Sequence, residues 1–392
     1  MGATQSVSPR AGRHLIRPAG HFTFEPAPLP PIGLLIDGEL HRTLSAADRE
    51  MGFLHGQVEA RPEASALVDM ACRREAVASC RLEGSSVTLK DLLWFELEGV
   101  RADTASCPRG DVRICANYAD MLRPDNAEAG TDATPVLRAS LCALHKRLYR
   151  GVRGREERAG RIRTAEIWLG PRGSTLKTAH FVPPAAEHIP EHLAKLLAFA
   201  VDDVALPPLA RLALIACQLE SIHPFVDGGG RVARLALLRL LSQTHGPAAC
   251  LLCPSVLLAQ DVGGHFRRLQ RVRHEGDWEG WLHHFGALVL EAARAASAIL
   301  TDSDDVLREH TERIRSEQPT IRDTGVRLLR HLASQPLVSV QLVAKVCGRT
   351  FANANLLVGR LEALGILTEI TGRQRHRRYV YAPFVTLLQG EN

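Results

Sequence analysis

Apolar positions recur with a helical period along most of the chain. Between residues 45 and 98 the pattern predicts helices, one of them over 63–83 and ended by Gly84, which suits a left-handed turn. A start of capping-box type at Thr88-Leu-Lys-Asp91 announces the next, carrying Leu92, Leu93 and Phe95. Helical segments follow near 112–122 and 135–149, with a polar loop over 123–134 between them. The period then changes, and 162–169 and 174–182 predict a β-hairpin turning at 170–173 and closed by Pro183-Pro184. Beyond it lie an apolar helix over 207–222 and another over 235–243. The second is apolar almost all round, with Leu235, Leu237, Leu238, Leu240 and Leu241, and should be central and buried. Of two further helices, the second runs from 276 to 299 and places Trp278 and Trp281 most simply in the core.

Asp302, Asp304 and Asp305 then mark the start of a linker that continues as a charged helical connector to 317. Pro319 opens a separate unit. Its helices over 320–334, 340–347 and 351–364 precede strands over 366–371 and 378–381, joined by a basic loop at 372–377. That is the order of a winged helix-turn-helix. The first 35 residues hold Pro26, Pro28, Pro30 and Pro31 and no helical period, so they are expected to form an extended arm or to be disordered. The class is mainly α.

Composition narrows the function only slightly. Hydrophobic content of 45% and charge of 23% over 392 residues describe an ordinary globular protein of two or three domains. A net charge of +5 permits a nucleic-acid partner without requiring one. Nine scattered cysteines, odd in number, fit a reducing compartment, and the C-x-x-C pair Cys250 and Cys253 lacks the second ligand pair that zinc would need. No apolar run reaches the ~18 residues that span a bilayer. No membrane partner is expected, and the expected location is cytoplasmic.

The chemistry concentrates at His223-Pro224-Phe225-Val226-Asp227-Gly228-Gly229-Gly230-Arg231-Val232-Ala233-Arg234. A glycine turn leading into a helix offers unpaired backbone N–H groups, and the helix dipole adds positive potential for an anion. Arg231 and Arg234, three residues apart, can face one anion from the first turn. Asp227 can hold a hard cation through oxygen, and His223 is a proton acceptor that works near neutral pH. These residues suit reaction at a nucleotide phosphate. A tight inter-helix turn with solvated arginines is the plainer alternative, but three glycines cost helix stability and call for a reason.

This stretch resembles the motif of the Fic family, His-Pro-Phe-x-Asp/Glu-Gly-Asn-Gly-Arg-x-x-Arg, and departs from it at Gly229, where the family has asparagine. The resemblance covers roughly residues 30–300 and implies a helical Fic fold with a small β-hairpin flap. Together with the segments read above, it divides the chain into the arm at 1–35, an N-terminal helical region with an inhibitory helix at 36–110, a catalytic core at 111–300, a linker at 301–318 and the winged-helix unit at 319–388. A second motif, Ser79-Cys-Arg-Leu-Glu83-Gly84, stands upstream. Ser79 and Glu83 share a helix face, and a glutamate at a helix C-terminus opposes the dipole and wants a cation from elsewhere. Beside a Fic-like loop it is similar to the family's inhibitory motif, whose glutamate would pair with Arg234 and block the γ-phosphate position. The hairpin, with Ser174, Thr175 and Leu176, is similar to the flap that clamps a target segment by strand addition.

The resemblance implies transfer of AMP from ATP, with Mg²⁺, to a Ser, Thr or Tyr hydroxyl of a target protein or of the chain itself. His223 would be the base, Asp227 the metal ligand, and Gly228, Gly229, Gly230, Arg231 and Arg234 the nucleotide site. Glycine at 229 removes a side-chain donor, which leaves open a slow enzyme, removal of AMP at the same site, or a nucleotide sensor. The rival from another class is a transcriptional regulator that senses nucleotide and binds DNA through Arg349, Arg360, Arg373, Arg375, Arg377 and Arg378 of the winged helix. A homodimer is compatible with either.

Overall fold

The computed structural model describes residues 8–61, 63–98, 108–124, 137–171, 173–202 and 204–389. The chain opens with strands β1 (Gly12–Ile16) and β2 (Phe22–Pro26), paired antiparallel with Gly12 opposite Pro26 and Ile16 opposite Phe22. The expected extended arm is therefore largely a hairpin. Helices α1 (Gly38–Glu59), α2 (Ala64–Leu82), α3 (Leu89–Glu98), α4 (Arg109–Leu122) and α5 (Leu137–Leu148) follow. Most of the expected loop 123–134 lies outside the described residues. Then come α6 (Ile189–Val201), α7 (Pro208–Ile222), α8 (Gly229–His245), the short α9 (Ala248–Leu251) and α10 (Pro254–Leu258), α11 (Val262–Glu275) and α12 (Trp278–Glu317). The C-terminal unit is α13 (Arg322–Ser334), β3 (Leu337–Ser339), α14 (Val340–Cys347), α15 (Phe351–Ala363), β4 (Thr368–Glu369), β5 (Arg378–Val380) and α16 (Ala382–Gln389), with strand order β3-β5-β4.

Helix α2 is enclosed along its middle. Residues from Met70 to Cys80 on both its sides are buried, except Arg74, because alanine, serine and cysteine let α4, α9, α10 and α13 approach closely. Helix α8, expected at the centre, leaves Leu237 and Leu240 only partly covered. The start of α3 is a reciprocal cap. The Thr88 hydroxyl accepts from the Asp91 N–H at 3.1 Å, and Asp91 Oδ2 accepts from the Thr88 N–H at 2.9 Å. Trp278 and Trp281 are buried as expected, each donating its indole N–H to a carbonyl, of Arg10 and Ala213 respectively. The eight described cysteines are free. Among the described residues no single helix is long and apolar enough to cross a membrane.

Two expectations are corrected. Residues 301–318 are not a break between units, because 301–317 form the second half of α12, a helix of 40 residues. Leu300 and Ile314 are buried along it, and Asp305 and Glu317 are absorbed by ion pairs to Arg308 and Arg313. The same helix enters the C-terminal unit, where His310 Nδ1 meets the Tyr381 hydroxyl at 2.7 Å and Arg313 donates to the Leu364 carbonyl. The hairpin over 162–182 reduces to a single bridge between Leu169 and Phe181. Side chains replace the ladder beyond it: the Ser174 hydroxyl donates to the Pro171 carbonyl, and the Thr178 hydroxyl accepts from the Thr175 N–H. On the far side, the Phe24 N–H of β2 takes the Val182 carbonyl at 3.0 Å.

Candidate active site

Helix α7 ends at His223, whose left-handed backbone (φ 46°) turns the chain sharply into Pro224 and Phe225. A buried arginine that sequence reasoning missed holds this turn. Arg163 donates to the carbonyls of His223 (2.9 Å), Ile222, Ala165 and Pro184, while its own N–H takes the Pro224 carbonyl. Burial lowers its guanidinium to about 10, which still leaves it charged at neutral pH. His145 was missed as well. Its ring stacks on Phe225 with centroids 4.0 Å apart, and its Nδ1 accepts from the Gly160 N–H. Nε2 therefore carries the proton and donates to the Asp227 carbonyl at 2.9 Å. Nothing in the spacing of α5 distinguishes His145 from an ordinary amphipathic position.

Gly228 takes φ 75° as the N-cap of α8, and a Cβ there would collide with the Tyr149 hydroxyl at 2.7 Å. The first helical bond runs from the Val232 N–H to the Gly228 carbonyl. The N–H groups of Gly229, Gly230 and Arg231 thus precede the helical ladder, at the positive end of a 17-residue helix. The structure places the His223 ring directly over Gly229. A Cβ on Gly229 would lie 2.9 Å from Nε2 and 3.1 Å from Cε1 of that ring. His223 is 8% exposed and its Nδ1 has no partner among the described residues. Burial, above all, lowers its pKa to about 4, so the ring is neutral at pH 7 and free to accept a proton.

The carboxylate of Glu83 lies against Gly230, where a Cβ would run into its Oε1. The same oxygen accepts from Arg234 Nη2 at 2.8 Å. Arg234 also donates through Nε to the Ser79 hydroxyl at 2.8 Å and through Nη2 to the Ser79 carbonyl at 3.0 Å, and Glu220 stands 3.9 Å away. Burial alone would raise the Glu83 carboxyl; the charge and hydrogen bond of Arg234 more than reverse that, and its pKa falls below the usual range. So a carboxylate from the end of α2 sits at the helix terminus where an anion is favoured.

Arg231 and Asp227 are differently engaged than the sequence suggested. Arg231, 6% exposed, donates to the Tyr149 hydroxyl at 3.0 Å and to Asp227 Oδ1 at 2.8 Å. The other Asp227 oxygen pairs with Arg155. A divalent cation would therefore find one carboxylate, shared with two guanidiniums, and no group of three or more His, Cys, Asp or Glu able to hold a metal exists among the described residues. Such a donor set fits Mg²⁺ only as a single ligand beside substrate phosphates. Ser174, Thr175 and Leu176 lie on the surface turn beyond the Leu169–Phe181 bridge, and none of them hydrogen-bonds to the glycine loop. His223, Asp227, the three glycines, Arg231, Arg234, Ser79 and Glu83 all converge; the turn flanks them.

Two family profiles match this chain, that of the Fic/DOC family over residues 135–241 and that of the Fic/DOC family N-terminal region over 41–124. Protein adenylyltransferase fic-1 of Caenorhabditis elegans is 27% identical over 220 residues, which make up 52% of this chain and 40% of the relative. The protein adenylyltransferase Fic of Nematostella vectensis is 28% identical over 118 residues, 30% of this chain and 24% of that one. The chain thus spans well under two thirds of these relatives' lengths. A crystal structure of a Fic family protein from Desulfovibrio desulfuricans superposes with a TM-score of 0.58 at 18% identity, over 89% of this chain and 97% of the other, which shows a shared fold.

Proposed function

We infer from this chain's membership of the Fic/DOC family, carried by residues 41–124 and 135–241, that it transfers AMP from ATP to a protein hydroxyl and is restrained by Glu83. The observation that carries this reading is the Glu83 carboxylate, held by Arg234 against Gly230 at the N-terminus of the helix whose preceding loop bears His223. A carboxylate in that position stands where a terminal phosphate would be received.

The target is a Ser, Thr or Tyr hydroxyl, on another protein or on this chain. Its oxygen forms a bond to the α-phosphorus as the bond from that phosphorus to the bridging oxygen breaks, and diphosphate leaves. His223 takes the hydroxyl proton; it is neutral at working pH, and the left-handed turn aims it from the end of α7. The N–H groups of Gly229, Gly230 and Arg231 receive phosphate oxygens, and Arg234 clamps the terminal phosphate once Glu83 withdraws. Arg231, tied to Tyr149 and Asp227, keeps the loop charged and ordered. Mg²⁺, held by Asp227 and substrate phosphates, would neutralise charge on the leaving diphosphate.

A second reading, nucleotide sensing with weak or no transfer, is favoured by one observation. Gly229 supplies no side-chain donor, and its space is occupied by the His223 ring. Labelling with ATP radioactive at the α-phosphate separates the two. The Glu83→Gly chain should label itself or a lysate protein at least about tenfold faster than wild type, since a freed phosphate site is worth more than about 1.4 kcal/mol, and Glu83→Gly/His223→Ala should not label. ATP binding without labelling in every form would favour the sensor.

A further inference from the structure

We propose that the groove between the start of α15 and the loop at 372–377 binds duplex DNA. Charge is the first argument. Between Val340 and Val380 seven Lys or Arg stand against two acids, a surplus of five that equals the net charge of the entire chain, +5. The rest of the molecule is thus neutral on balance. Such a concentration on one face is the electrostatic footprint of a polyanion site.

Geometry is the second argument. The groove is lined by Ser339, Gln341, Phe351, Asn355, Gln374 and the run from Arg375 to Arg378. Its two walls are tied together, because Arg377 donates to Asn355 Oδ1 of α15 at 3.0 Å and lies over the Tyr379 ring. The base of the loop is fixed by Glu369, which accepts from the N–H groups of Thr371 (2.9 Å) and Gly372 (2.8 Å). Arg373, Gln374, Arg375 and His376 beyond that base are exposed. Lys345 and Arg349, at the end of α14 and in the turn before α15, are exposed as well. A preordered basic loop beside a helix suits a phosphate backbone that positions and a helix that reads.

Helix α15 supplies the reading face. It begins at Thr350, whose hydroxyl caps the Asn353 N–H, and presents Phe351 (59% exposed), Asn353 and Leu356 (61% exposed). Asparagine can pair with adenine and apolar side chains with the thymine methyl in a major groove ~12 Å wide, which admits a helix. Arg378, one of the seven, pairs with Glu98 of α3, so the phosphate contacts are assigned to the others. The assignment does not rest on the transferase reading.

The test uses the full chain and a fluorescein-labelled duplex of mixed sequence, followed by anisotropy across a salt series. Wild type should bind with affinity that falls as salt rises. Arg373→Glu/Arg375→Glu should bind about tenfold or more weakly, with a log–log salt slope smaller by roughly 2, because two phosphate contacts are lost. An Arg42→Glu/Arg49→Glu variant of α1, with the same net charge, should bind as wild type does. Absence of binding at low salt, or equal losses in the two double variants, would overturn the proposal. So would a dimer that Phe351→Ser/Leu356→Ser dissociates without loss of duplex binding, since the α15 face would then belong to a second copy.

Discussion

At Gly229 and His223, two side-chain volumes decide one geometry. The backbone of Gly229 does not need a glycine, for it is not in the left-handed region, yet a Cβ there would press on the His223 ring at 2.9 Å. Gly229→Ala should therefore fold normally and displace the ring. In the Glu83→Gly background we expect the transfer rate to fall by roughly tenfold to a hundredfold with ATP affinity retained, since sub-ångström misplacement of a base is costly. An unchanged rate would show that the ring is not held by this contact. The same histidine and His145 carry a pH dependence. Burial lowers both from 6.5 to about 4, so the unfolded chain takes up their protons first. Stability is complete above pH 6.5 and declines as pH falls from 6.5 toward 4, by at most about 3 kcal/mol for each. Melting at pH 7 and pH 5 should show the decline, and His145→Gln should show less of it.

Among elements, α2 and the turn after α7 do the positioning. Glu83 reaches Arg234 from the end of a helix that is buried from Met70 to Cys80 apart from Arg74, and Glu75, one turn before Ser79, accepts from the Ser255 N–H of α10 at 2.9 Å. Arg163 does the same for the turn, its guanidinium spread over four carbonyls. Arg163→Ala would leave those acceptors buried and unpaired, at about 1–3 kcal/mol for each that water fails to reach. We expect a loss of several kcal/mol (about 3 or more) in urea denaturation, with transfer abolished in whatever fraction folds.

Across the whole molecule, the C-terminal unit braces the helix that bears Glu83. Arg73 of α2, 3% exposed, donates to the Ser334 carbonyl of α13 at 2.9 Å and pairs with Glu96 of α3 at 2.8 Å. Arg378 of β5 pairs with Glu98 of α3. Arg73→Ala loosens the middle of α2 and should weaken the Glu83–Arg234 contact. A shift of about 1 kcal/mol would raise basal AMP labelling roughly fivefold. The increase should be smaller than that of Glu83→Gly and absent when both changes are combined with His223→Ala. Unaltered labelling would show that the brace does not reach the site.

Much of this was legible in the residue order, because it depends on local physics. Glycines before a helix, a cap at Thr88, arginines at fixed offsets and apolar positions at helical spacing act over a few residues. They located the loop from His223 to Arg234, the Ser79–Glu83 face, the helices and the C-terminal unit. The hairpin at 162–182 misled because Ser174, Thr175 and Thr178 bond their own turn, a competition that periodicity does not register. The linker misled because acids such as Asp302 and Asp305 look like a break until the helix beneath them is seen to be covered at Leu300 and Ile314. Only the tertiary structure decided that Arg163 and His145, distant in sequence, hold the turn at His223, that the His223 ring fills the space above Gly229, and that α2 joins the glycine loop to the C-terminal unit. The contacts of Arg163, His145 and Arg73 cross 15 or more residues of chain, and such contacts are set by how buried helices pack rather than by any local preference.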